Sequence, residues 1–122
     1  MSYATKAIAG NLADVEVSDS DVTGAVQYAY AGAKELVGVY IDNSSGSNPA
    51  YLRFWDATSG VTNGTTDPVH IFYAPGNTAR MYSIPLGLSF STGIAYAGSN
   101  SAGTAGTSDP STTVTLRLLL KS

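Results

Sequence analysis

The groups in this chain that could do chemistry are few, and their spacing does not organise them into a reacting centre. Histidine occurs once, at His70, and cysteine is absent. A multi-histidine metal site therefore cannot form within one chain, and thiolate zinc sites, cysteine nucleophiles and disulfides are excluded together. His70 shares an alternating strand face with Phe72 and reads as a surface or packing histidine. Asp14, Glu16, Asp19 and Asp21 could offer oxygens to calcium, but the run lacks the glycine and terminal glutamate of an EF-hand loop. A solvated acidic turn accounts for it better. Glycosidase chemistry needs two carboxylates held ~5–9.5 Å apart in a cleft. Asp42, Asp56 and Asp67 instead fall at strand ends or in loops, where turn hydrogen bonds explain them. Residues 87–93 carry glycines but no P-loop lysine and no following helix. Asn43-Ser-Ser and Asn63-Gly-Thr match the glycosylation sequon, but without a secretory signal turn chemistry is the better account of both. No catalytic residue, metal or cofactor is expected, and the chain reads as a non-enzyme.

What remains is recognition. Tyr51, Arg53 and Trp55 alternate along one strand, and His70, Phe72, Arg80 and Tyr82 follow on the next two. Large aromatics interleaved with arginine are the material of interface hot spots, so these seven residues are expected to form an exposed partner-binding face. Trp55 fits either that face or an intramolecular core, because an indole needs both cover and a hydrogen-bond acceptor.

The elements that must carry these residues are strands. Residues 36–41 are nearly all apolar, as in a central strand. After the turn at 43–49, residues 51–56 alternate, with Leu52 and Phe54 opposite Tyr51, Arg53 and Trp55. A long loop with an Asn63-Gly64 turn leads to residues 69–73, where Val69, Ile71 and Tyr73 oppose His70 and Phe72. Strands follow at 80–84, 88–91 and 94–97. The run 113–120 places Val114, Leu116, Leu118 and Leu120 on one face. Seven or eight short strands with turn signals between them predict an all-β antiparallel sandwich of jelly-roll type. Residues 1–33 are weakly patterned: an extended arm is expected over 1–10, and strands over 13–18 and 25–31, with Val26, Tyr28 and Tyr30 on one face. Residues 34–122 form the sandwich core, with a flexible Gly/Ser-rich loop at 98–111.

Charge narrows the partners. Only 12% of the 122 residues are charged, and the formal net charge is −3. Soluble domains run near ~25% charged, so this surface repels its copies weakly and suits a protein docked to neighbours. The six Lys and Arg are scattered and make no stripe for phosphates, which argues against nucleic acid. No stretch approaches the ~20 apolar residues of a membrane helix, and the N-terminus lacks a signal-peptide core. An intact cytosolic translation product is the expectation.

The run Tyr40-Ile-Asp-Asn-Ser-Ser, then Tyr51-Leu-Arg-Phe-Trp-Asp-Ala, Gly64-Thr-Thr-Asp-Pro-Val-His-Ile-Phe and Pro85-Leu-Gly-Leu-Ser-Phe-Ser-Thr-Gly-Ile-Ala-Tyr-Ala resembles small virion proteins of tailed bacteriophages. The match spans about half of the chain and is a pattern of strands and turns, with no active-site signature. It implies a capsid decoration (cement) protein on the virion surface, with the major capsid protein as partner. A symmetric site on a shell would favour a homo-oligomer, a trimer first. The rival expectation is a receptor- or carbohydrate-binding domain of a phage appendage, in which Trp55, Tyr51 and Tyr82 would stack on sugar rings.

Overall fold

The computed structural model describes residues 3–7, 15–101 and 113–122. These form β1 (Tyr3–Ala7), β2 (Val15–Asp19), β3 (Gln27–Ala31), β4 (Lys34–Asn43), β5 (Ala50–Asp56), β6 (His70–Ala74), β7 (Thr78–Phe90), β8 (Gly93–Ser99) and β9 (Thr115–Lys121). Four antiparallel pairs nest inside one another: β5 with β6, β4 with β7, β3 with β8 and β2 with β9. Pairings β4–β9 and β5–β8 then close this ribbon into two sheets, ordered β1-β2-β9-β4-β7 and β3-β8-β5-β6. An eight-stranded ribbon rolled in this way is a jelly roll, here with β1 added at one edge. The expected all-β sandwich is the architecture observed.

Alternation decides which side chains lie between the sheets. On β9, Leu116, Leu118 and Leu120 are fully buried while Arg117 is exposed. They meet Val39 and Ile41 of β4 and Val17 of β2 on one side, and Leu52 and Phe54 of β5 with Ile94 and Tyr96 of β8 on the other. Each such side chain contributes about 1.5–3 kcal/mol by leaving water. The core also contains Asp19, only 1% exposed, whose Oδ2 accepts a hydrogen bond from the Tyr96 hydroxyl at 2.6 Å. Its Oδ1 accepts from the N–H of Asp21 at 2.9 Å. The reading of that acidic run as a solvated turn is corrected at Asp19, which lies on the inward face of β2 beside Val17.

Three local features depart from simple alternation. A bulge in β3 between Tyr28 and Tyr30 turns them to opposite faces: Tyr28 sits across from Ala95 on the outside, and Tyr30 packs against the core. The expected common face of Val26, Tyr28 and Tyr30 is thereby lost. Over residues 3–7 the expected arm is an edge strand in register with β2, Tyr3 opposite Asp19 and Ala7 opposite Val15. In β7, residues 84–87 together face the single residue Val37. The excursion turns at Gly87, at φ +75, where a Cβ would lie 2.9 Å from that of Glu35. Of the loop expected at 98–111, Gly98 and Ser99 belong to β8, and residues 102–111 lie outside the described residues.

Candidate functional site

The seven expected interface residues do not form one face. On β5 the outward-pointing Arg53 and Trp55 are covered by the loop at 57–69, which adds a third layer over the β3-β8-β5-β6 sheet. Arg53 is fully buried there. Its guanidinium donates to Asn63 Oδ1 at 2.6 Å and to the Ser101 carbonyl at 3.3 Å, and burial lowers its pKa. Trp55 is 2% exposed and donates Nε1–H to the Thr66 carbonyl at 2.9 Å. It packs on Ala95 and Ala97, with Val26, Ala57 and Val61 alongside. The small residues opposite Trp55 and Arg53 on β8 leave the room that these two large side chains occupy.

The loop holds itself over them. Thr62 carbonyl accepts from the N–H groups of Thr65 and Thr66, and Gly64 takes φ +94 in the expected Asn63-Gly64 turn. Asn63 also donates Nδ2–H to the carbonyls of Gly24, at 2.9 Å, and Gly98, at 3.4 Å. Asn43, the other sequon asparagine, is buried and donates to the carbonyls of Asn48, Ala74 and Pro75. Both asparagines thus act as turn clasps. Asp42 accepts from the Ser44 hydroxyl and N–H, and these bonds hold its carboxyl below the ordinary carboxylate value. Asp56 joins the end of β5 to the β7–β8 turn. It accepts from the N–H groups of Ser91, Thr92 and Gly93 and from the Ser91 hydroxyl, which brings its pKa to about 2.

His70 and Phe72 point inward, being the cross-strand partners of Phe54 and Leu52. The His70 ring meets Phe90 edge-on at 5.9 Å, and Phe72 meets Phe54 at 5.5 Å and Tyr82 at 5.0 Å. Strand alternation had separated these two sets correctly, but His70 made the wrong set look like the outside. The outward side chains are Val69, Ile71 and Tyr73, which the sequence reading did not select. Tyr82 lies at the rim of the core and donates its hydroxyl to the Tyr73 carbonyl. Arg80 is exposed, with its guanidinium 5.8 Å from the centre of the Tyr73 ring, and Tyr51 lies 5.1 Å from that ring on its other strand. Tyr51, Phe72, Arg80 and Tyr82 therefore gather at one lateral edge, while Arg53 and Trp55 are held apart beneath the loop.

That edge carries the unusual surface. Among the described residues, the large apolar side chains left exposed are Tyr28 together with Val69, Ile71, Tyr73, Met81 and Leu86. All but Tyr28 lie on or next to β6 and β7, the edge strands at one side of the two sheets. Leu86, at the tip of the β7 excursion, is 92% exposed. Beside it, Val37, Met81, Pro85, Leu119 and Lys121 line a mainly apolar groove of about 230 Å³. Next to it, Met81 and Leu119 close over Gly38, where a Cβ would meet Met81 Cε and Leu119 Cδ1, each at 3.1 Å. Among the described residues no group of three or more His, Asp or Glu converges on one point.

No protein-family model and no curated protein matches the chain. Among solved structures it is similar over 98% of its length to the capsular polysaccharide assembling protein CapF from Staphylococcus aureus, at 10% identity and a TM-score of 0.39. It spans only 28% of that chain. It is also similar to the disulfide-linked pili of Bacillus endospore appendages, at 10% identity, 89% of that chain and a TM-score of 0.40. A third is PliG, a periplasmic inhibitor of g-type lysozyme from Aeromonas hydrophila, at 15% identity, 86% of that chain and a TM-score of 0.38. Likenesses this distant assign no function.

Proposed function

We propose that this chain is a structural, non-enzymatic docking protein that decorates a phage capsid and stabilises the shell, with the major capsid protein as its partner. The carrying observation is the division of labour among its side chains. The polar groups capable of chemistry, Arg53, Asp56, Asn43 and Asn63, are engaged in holding loops. The conspicuous free surface is apolar and lies along β6 and β7. Exposed apolar patches of this kind mark protein contacts, and a surface with 12% charged residues favours contacts insensitive to salt.

The mechanism is linkage. A protein that binds only the assembled shell stabilises it by RT ln(1 + [L]/Kd), and one that bridges two capsomers makes their separation cost two contacts. The appendage reading is weaker, because its sugar platform required Trp55, which is 2% exposed beneath the loop. The test is binding of purified protein to emptied, undecorated capsids, followed by heat release of the genome. Saturation at a fixed copy number with a raised release temperature supports decoration. Binding to host-surface glycan with no binding to shells would replace it with the appendage reading.

A further inference from the structure

Asn63-Gly64 is the sole Asn-Gly pair in the chain. Such a pair is chemically unstable, because a glycine without a Cβ lets its backbone nitrogen reach the preceding carboxamide unhindered. In the reaction the Gly64 nitrogen gives up its proton and bonds to Asn63 Cγ. The Cγ–Nδ2 bond breaks, and Nδ2 leaves with a proton as ammonia. Water then opens the five-membered imide at either carbonyl, leaving aspartate or isoaspartate at position 63. The net change is one water taken up and one ammonia released.

We propose that this pair is a modification site which the closed 57–69 loop holds dormant: it deamidates when the loop opens, and the product keeps the loop from closing again. Two features of the closed loop oppose the reaction. The first is the turn. Thr65 N–H donates to the Thr62 carbonyl across Asn63 at negative φ and Gly64 at φ +94. That is the type II pattern, with ψ of about +120° at Asn63. The imide ring needs the Gly64 nitrogen and Asn63 Cβ eclipsed about the Cα–C bond, and in an L-residue at this ψ they stand roughly 120° apart. The second is the clasp. Asn63 Nδ2 donates to the Gly24 and Gly98 carbonyls and Oδ1 accepts from Arg53, and swinging the carboxamide toward the backbone breaks all three bonds. Arg53 also polarises the Cγ carbonyl, which favours attack only once the nitrogen is within reach, so the turn decides the rate.

Little apolar surface holds the loop shut. Ala57 and Val61 pack on the layer around Trp55, the Thr66 carbonyl accepts from Trp55 Nε1–H, and Val61 N–H donates to the Tyr28 hydroxyl. Thr58, Ser59, Gly60, Thr62 and Thr65 are exposed. Opening this segment uncovers far less apolar surface than unfolding the sandwich, so it happens far more often. Once position 63 is an aspartate, its carboxylate keeps the contact with Arg53 but has no N–H for Gly24 and Gly98, whose carbonyl oxygens it then faces. An isoaspartate also lengthens the backbone inside the turn by one atom. An opening that reacts is thereby recorded and not reversed.

The experiment incubates the purified chain at mildly alkaline pH, native or unfolded in guanidinium chloride, and reads position 63 by peptide mapping as a gain of about 1 Da. The unfolded chain is expected to convert there, and the native chain at least about 10-fold more slowly. Tyr28→Phe, at an exposed position, removes the acceptor of Val61 N–H and should raise the native rate about 2–10-fold. Tyr96→Phe weakens the core on the opposite face of β8 and should leave the native rate at the wild-type value. Asn63→Asp reproduces one product: acrylamide should quench Trp55 more readily than in the wild type, while circular dichroism still shows the sandwich. Equal rates in native and unfolded chains overturn the proposal, as does an absence of conversion at 63 in both. A Tyr28→Phe rate no faster than that of Tyr96→Phe overturns gating by the loop. An Asn63→Asp variant whose Trp55 is as shielded as in the wild type overturns the claim that the product keeps the loop open.

Discussion

Replacing Asp56 by asparagine removes one negative charge from a corner where three N–H groups and one hydroxyl converge, at 2.8–3.2 Å. The backbone N–H groups of Ser91 and Thr92 are the main reason its pKa falls from 3.8 to about 2. That fall corresponds to about 2.4 kcal/mol of preference for the charged, folded form. The corner is partly open to water, and screening brings the contribution at neutral pH to about 1–1.5 kcal/mol. Because the folded pKa lies below the unfolded one, the stabilisation is complete above pH 3.8 and is lost as the pH falls toward 2. Urea denaturation of wild type and Asp56→Asn at pH 7 should therefore differ by about 1–1.5 kcal/mol, or about 4–7 °C in Tm. At pH 2.5 the gap should shrink to about a third. An equal gap at both pH values would show that the loss comes from packing or from the asparagine itself, and would refute the charge argument.

Three further outcomes follow from the same geometry. Gly76→Ala places a Cβ 2.1 Å from the Ser47 carbonyl oxygen, so the turn must move; thermal denaturation should show a loss of more than about 2 kcal/mol. Tyr96→Phe removes the donor to Asp19 Oδ2 in a site 1% exposed, and should cost about 1–3 kcal/mol in urea. Trp55 is the sole tryptophan and lies under the 57–69 loop, so its emission should be blue-shifted and poorly quenched by acrylamide; red-shifted, freely quenched emission would contradict that placement.

The core faces of β5 and β9 were readable because two-residue alternation of large apolar and polar side chains leaves one solution. The bulge in β3 was not, since an extra residue reverses the face of everything beyond it and Tyr28 and Tyr30 carry no mark of where it sits. Burial of Arg53 and Trp55 depended on a loop folding back across the sheet, which periodicity does not encode. A usable signal was nonetheless present: Ile94-Ala-Tyr-Ala alternates large with small, and the small set lies opposite Trp55 and Arg53. For β6 the alternation was clear and its direction was not. The polar character of His70 suggested exposure, whereas the nearby rings of Phe54 and Phe90 draw that face inward. The groove was illegible for a different reason, as its walls come from three strands, β4, β7 and β9, that only the fold brings together.

The place of β9 has a consequence for how the chain comes into being. It sits between β2 and β4 in the middle of its sheet, yet it is synthesised after every strand it touches. Until it emerges from the ribosome, the β1–β2 hairpin and the β4–β7 pair present unsatisfied edges to one another across a gap one strand wide. Such edges recruit strands from other chains, and pairing of distant segments is slow. The nascent protein is therefore aggregation-prone until β9 emerges, and arrival of Leu116, Leu118 and Leu120 closes the gap and completes the core in one event. Chains cut short before this strand should be cleared or precipitate, whatever the quality of the rest of their sequence.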